Sequence, residues 1–201
     1  MAYGLRPIQA GPGGAYNSGG FTEYPIADGE TDDIFTGTFV VQEASGYVTT
    51  LATSPVVGSP TVTGMTIGVA VGFRYTDTDG SIKFSAYYPG GASYTDAFAF
   101  VADNPEQRFL IKSDGATVQA DMGLNAPIVS SSGTASDVGQ GSTATGLSTS
   151  VLDQSAQATT TGIALRLLSI PSDGSNETSS TPNVVVKINP AVHQLLEPLG
   201  L

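Results

Sequence analysis

Four stretches of the chain hold residues whose types and spacing could do chemistry. They are Asp77-Thr78-Asp79-Gly80, the acids Asp28, Glu30, Asp32 and Asp33, the glycine-rich Gly11–Gly20, and the single histidine, His193. The first has the opening of a calcium loop. An EF-hand, however, needs its glycine two positions later and a glutamate at the twelfth position. Gly80 comes fourth and a hydrophobic run follows at once, so Asp79-Gly80 reads as a hairpin turn. The acidic group before Ile34 could meet a surface cation, but its default is a solvated loop. Gly11–Gly20 lacks the preceding strand, the following helix and the lysine of a phosphate-binding loop. A serine triad would have to use His193, and no G-x-S-x-G elbow is present to supply its nucleophile.

Two carbohydrate readings stand beside these. A glycoside hydrolase needs only two carboxylates about 5–10 Å apart. Acids are plentiful here, yet no spacing nominates a pair. Tyr87, Tyr88 and Tyr94 could line the platform of a carbohydrate-binding β-sandwich module, against the ordinary reading of sheet packing. The residues therefore point to a non-enzyme, with no cofactor and no metal ligand nominated.

The charge balance narrows the partners. Of 201 residues, 18 are acidic and only seven basic, giving a net charge of −11. The seven cations, Arg6, Arg74, Lys83, Arg108, Lys112, Arg166 and Lys187, are scattered singly along the chain. Neutralising a phosphate backbone takes a cluster of them, so nucleic acid is not an expected partner. The same scatter argues against anionic membrane surfaces. No apolar run approaches the roughly 18 residues of a membrane-spanning helix, so a soluble protein is expected. Cysteine is absent, which leaves packing and strand pairing to hold the fold.

Period-two patterning dominates the elements that must position any site. In TIGVAVGFRY, Ile67, Val69, Val71, Phe73 and Tyr75 alternate with Gly68, Ala70, Gly72 and Arg74. The larger side chains suit a core, and the small face would let another layer or subunit approach closely. After the Asp79-Gly80 turn, SIKFSAYY places Ile82, Phe84, Ala86 and Tyr88 in phase. Further strands are expected at 34–41, 47–53, 97–102, 107–113, 162–170 and 183–188, with turn residues between most of them. Only 191–197 suits a short helical turn. This pattern predicts an all-β fold of short antiparallel strands, as a sandwich or barrel.

Two segments differ from the strands. Residues 1–20, MAYGLRPIQAGPGGAYNSGG, are rich in glycine and proline and poor in apolar side chains. They read as an extended N-terminal arm, with residues 21–201 as a single β-domain. Tyr3, Leu5, Pro7 and Ile8 could pin such an arm to a neighbour, and Arg6 could reach a carboxylate or carbonyl there. Residues 130–161 are small and polar, with Val138, Leu147, Val151 and Leu152 as sparse anchors. They read as a long Ser/Thr/Gly-rich loop pinned to a sheet or partner.

Five segments carry a resemblance, in order from the first residue nearly to the last. They are MAYGLRPI at the start, DMGLNA at 121–126, GSTATGLSTSVLD at 141–153, ATTTGIALRLLSI at 158–170 and VVVKINPAVHQL at 184–195. Together they resemble tailed-bacteriophage head proteins that cement or decorate the capsid exterior. SIPSDGSNETSSTPN departs from the compact polar turn of that pattern, and 128–140 is longer. The resemblance implies a virion structural protein, made in the host cytoplasm and placed on the capsid exterior. It also implies binding to the major capsid protein and to its own copies, as a homotrimer near threefold positions of the lattice.

Overall fold

The computed structural model describes residues 2–8, 20–51, 56–58, 61–91, 94–132 and 138–196. The fold is all-β, built mostly of short strands with few helical turns among the described residues. That helix share is far below the roughly one-third of an average soluble domain.

Two larger sheets carry the core. The five-stranded sheet runs, edge to edge, through β1 (Arg6–Ile8), β12 (Arg108–Lys112), β19 (Asn183–Ile188), β18 (Leu165–Ser169) and β13 (Asn125–Ala126). The six-stranded sheet runs through β2 (Thr22–Pro25), β11 (Thr95–Ala102), β8 (Gly68–Thr76), β4 (Phe39–Gln42) and β5 (Val48–Thr50). Its sixth strand, β9 (Ile82–Ser85), pairs with β8. Every ladder between named strands is antiparallel. Smaller pairs are β3 (Ile34–Phe35) with β10 (Tyr87–Tyr88), β14 (Ile128–Ser130) with β17 (Ser150–Leu152), β15 (Gly141–Ser142) with β16 (Leu147–Ser148), and β6 (Val56–Gly58) with β7 (Thr61–Thr63).

The six-stranded sheet is covered on both faces over part of its length. Phe39, Val69 and Ala102 join Phe109, Ile111, Leu165, Leu167, Val184, Val186 and Ile188 in one core cluster beneath the five-stranded sheet. Val40, Ala70, Phe73, Tyr75, Ala97, Ala99 and Val101 join Ile34 and Tyr88 in a second cluster on the opposite face. A register shift between Phe100 and Val101 leaves Val71 without a partner on β11, so strand β8 carries one extra residue there. Such a bulge changes the phase of the alternation. Val69 and Val71 face the first cluster, and beyond the bulge Gly72, Arg74 and Thr76 take over that face. The cores therefore use both the large and the small residues of TIGVAVGFRY, Gly68 and Ala70 included.

Several expected strands shift. The run 34–41 divides into β3 and β4, because Gly37 takes φ +89° between them. Ile82, Phe84, Ala86 and Tyr88 do not share one environment. The chain bends at Ala86, whose carbonyl accepts from Thr36 N at 3.1 Å and Thr36 Oγ1 at 2.7 Å. Tyr88 turns into the core on β10, whereas Ile82 and Phe84 stay outside on β9. In the polar 130–161 segment, Val138, Val151 and Leu152 are buried, and β14 to β17 give it two short ladders. Its residues 133–137 lie outside the described set. The tail forms 3-10 turns at Pro190–Val192 and Gln194–Leu196, and a single α-turn, α1 (Gly174–Glu177), follows Asp173.

Candidate interaction surfaces

The N-terminal segment lies on the chain's own domain. Tyr3 is half-buried, and its hydroxyl donates to Asn183 Oδ1 at 2.6 Å. Burial raises its pKa, against a smaller opposing pull from Arg6. Leu5 is 1% exposed and belongs to the first core cluster. Arg6, Pro7 and Ile8 pair with Leu110, Phe109 and Arg108, and Gln107 Nε2 donates to the carbonyl of Ile8. Proline is tolerated here because β1 is an edge strand, where a missing N–H costs no ladder bond.

Residues 2–8 thus lie on the domain, with Arg6–Ile8 as its edge strand, rather than forming an arm outside it, and the Leu5 side chain is not free to pin a neighbour. Arg6 is exposed and has no ion-pair partner among the described residues. Met1 and residues 9–19 of the expected arm lie outside the described residues.

A second surface is carried by the six-stranded sheet. Cross-strand register lines up Pro25, Phe98, Arg74 and Phe84 on strands β2, β11, β8 and β9. The Arg74 guanidinium lies 4.6 Å from the Phe98 ring centroid and 3.7 Å from Glu23. Ile82 pairs with Thr76 in the same phase. Phe84 is 74% exposed and Ile82 61% exposed, the two largest values among the exposed large hydrophobics. Nearer the bulge this face lies under the five-stranded sheet; toward β9 it is bare. Sequence reasoning placed Phe84 with Tyr88 and so missed this surface. The bend at Ala86, which separates them, has no glycine or proline to announce it.

Of the chemical candidates, Gly11–Gly20 lies outside the described residues except for Gly20, and the others take turn, capping or packing positions. Asp77–Gly80 is a hairpin turn: Asp77 N donates to Ser81 O at 2.9 Å, Ser81 N to Asp79 Oδ1 at 2.8 Å, and Gly80 has φ +82°. Lys83 lies 3.3 Å from Asp77. In the acidic loop, Glu30 accepts from Asp32 N and Asp33 accepts from Gly90 N, so these carboxylates cap backbone. No group of three metal-ligating side chains occurs among the described residues.

Tyr88 is fully buried and Tyr94 packs on Tyr75 with centroids 4.6 Å apart, while Tyr87 stacks on Phe35. The three tyrosines do not form an open platform. His193 is 1% exposed, and its Nδ1 accepts from Leu195 N at 3.3 Å. Burial lowers its pKa, opposed by the carboxylate and backbone of Asp103.

Comparison with known proteins adds no assignment. No family model, curated protein or solved structure matches the chain. The surfaces themselves carry the functional reading.

Proposed function

We propose that the protein is a structural component of a tailed-bacteriophage head, a cement or decoration protein that binds the capsid shell and its own copies. The observation that carries this reading is the exposed pair Phe84 and Ile82, flanked by half-buried Phe98 and Arg74, on one face of the antiparallel sheet. Aromatic and arginine anchors around a desolvated centre are what protein interfaces use to hold partners. The five sequence segments quoted above supply the identity of the partner, and the turn and packing roles of the candidate catalytic residues favour a non-enzyme.

In this reading a neighbouring copy packs on the β9 end of the sheet, over Phe84 and Ile82, and a homotrimer results. The shell meets the exposed edge of β1, with Arg6 and Ile8 as contacts. Trimerisation multiplies modest contacts, since the second and third form at high effective concentration. The protein then resides on the capsid exterior.

Co-sedimentation with purified heads that lack the protein tests the shell contact. The wild-type chain should pellet with heads, and Arg6→Glu should reduce the bound fraction while leaving the free protein folded. Equal binding by both would remove β1 from the shell interface, and no binding by the wild type would remove the capsid partner.

A further inference from the structure

A polar cavity of about 350 Å³ lies at one end of the five-stranded sheet. It is open to solvent, and three segments far apart in sequence line it: Tyr3 ahead of β1, Lys112 at the end of β12, and residues from 173 to 183. Its wall is firmly seated. Asn176 is 8% exposed, its Oδ1 accepts from Asn183 N at 2.7 Å, and its Nδ2 donates to Asn183 O at 3.0 Å. The Tyr3 hydroxyl, donating to Asn183 Oδ1, orients the Asn183 carboxamide in turn.

Those bonds leave a set of unused donors. Lys112 has no ion-pair partner among the described residues, and Asn183 Nδ2 donates to none of them. The Ser179 hydroxyl accepts from Thr181 N and keeps its own proton to give, as does the hydroxyl of Thr181. One acceptor faces this set. Asp173 Oδ1 takes the backbone and side chain of Ser175, and its second oxygen has no partner among the described residues.

One cation, several neutral donors and one carboxylate match a ligand with a single carboxylate and neighbouring hydroxyls. A dianion such as phosphate fits less well, because Asp173 would repel the second charge. We infer that this cavity binds a hexuronic acid unit. Its carboxylate sits on Lys112 and the Asn183 amide, and its hydroxyls reach Asp173, Ser179 and Thr181. The volume is at the lower end of small-molecule sites, as suits a monosaccharide. With a net charge of −11, the protein's long-range field opposes any anion. Recognition must therefore use the hydroxyl contacts as well as the charge. Such a site would operate whether or not the protein sits on a capsid.

Amide chemical-shift titration of the full chain at constant ionic strength tests this, with sodium glucuronate, glucose and sodium acetate as the three probes. Glucuronate should shift Lys112 and residues 173–183 with millimolar affinity. Glucose and acetate should each bind about tenfold more weakly or worse, as expected when a charge-assisted contact or the hydroxyl set is missing. Lys112→Gln should lose about tenfold in glucuronate affinity at unchanged thermal midpoint, and Ser179→Ala, on another wall, a smaller part of it. No shifts by about 50 mM glucuronate would overturn the site, given that even millimolar binders saturate there. Acetate binding as well as glucuronate would overturn it too, leaving an adventitious ion only.

Discussion

The backbones of Gly4 and Gly37 cross so closely that neither position has room for a side chain. Leu5 N donates to Gly37 O at 2.9 Å, and both glycines hold positive φ, +69° and +89°. A Cβ on Gly4 would lie 2.5 Å from Gly37 O, and one on Gly37 would lie 2.7 Å from Tyr3 O. In each case the obstacle is backbone, which cannot rotate away. Gly4→Ala therefore adds a clash to a left-handed cost of roughly 1–2 kcal/mol. A fall of about 4–10 °C in thermal midpoint is expected by calorimetry. An unchanged midpoint would mean that residues 2–8 do not sit on the domain in solution.

Leu5 and Arg6 are adjacent but should behave oppositely. Leu5→Ala empties a filled core position and should cost about 2–5 kcal/mol, or ~5–15 °C in midpoint. Arg6→Ala touches an exposed side chain and should stay within about 0.5 kcal/mol. Urea unfolding of the two variants measures both. Comparable small losses would return Leu5 to the surface.

The aromatic strip should act between molecules and not within one. Phe84→Ser and Ile82→Ser remove exposed side chains, so the free monomer should unfold at an unchanged temperature. Sedimentation velocity of the wild type should show a concentration-dependent species heavier than the monomer, and the double variant should remain monomeric. A wild type that stays monomeric at every concentration would take this face out of self-association.

His193 gives the fold a pH dependence whose sign follows from its burial. Its folded pKa lies below the value of about 6.5 for an open chain, so the fold favours the neutral ring. That contribution is complete above the unfolded pKa and is lost as pH falls from about 6.5 through the folded pKa. Protonation would also cost Nδ1 its hydrogen bond from Leu195 N. Asp103 opposes the shift and Lys187 adds to it. Thermal midpoints from pH 7.5 to pH 5 should fall for the wild type and fall less for His193→Gln. Parallel curves would assign the pH dependence to the carboxylates instead.

The fold class was legible because alternation and turn residues are local signals. The strand expected at 183–188 is β19, since the alternating Val184, Val186 and Ile188 write its period directly. What escaped depended on distant residues. Leu5 looks isolated in a glycine-rich segment, and only its place in the cluster with Phe39, Phe109 and Ile111 makes it core. Phe84 and Tyr88 are in phase along the sequence, yet Thr36, fifty residues earlier, takes the Ala86 carbonyl and parts them. The 173–183 wall of the polar cavity depends on Asn176 meeting the backbone of Asn183, which no periodicity encodes.

The most direct measurement of the proposed role is a cryo-electron-microscopy reconstruction of tailed-phage virions mixed with this chain. Density for the chain should appear on the head exterior at symmetry-related positions, with Phe84 and Ile82 covered by a neighbouring copy and the β1 edge against the shell. Virions without this density, or with the aromatic strip open to solvent in every copy, would contradict the assignment.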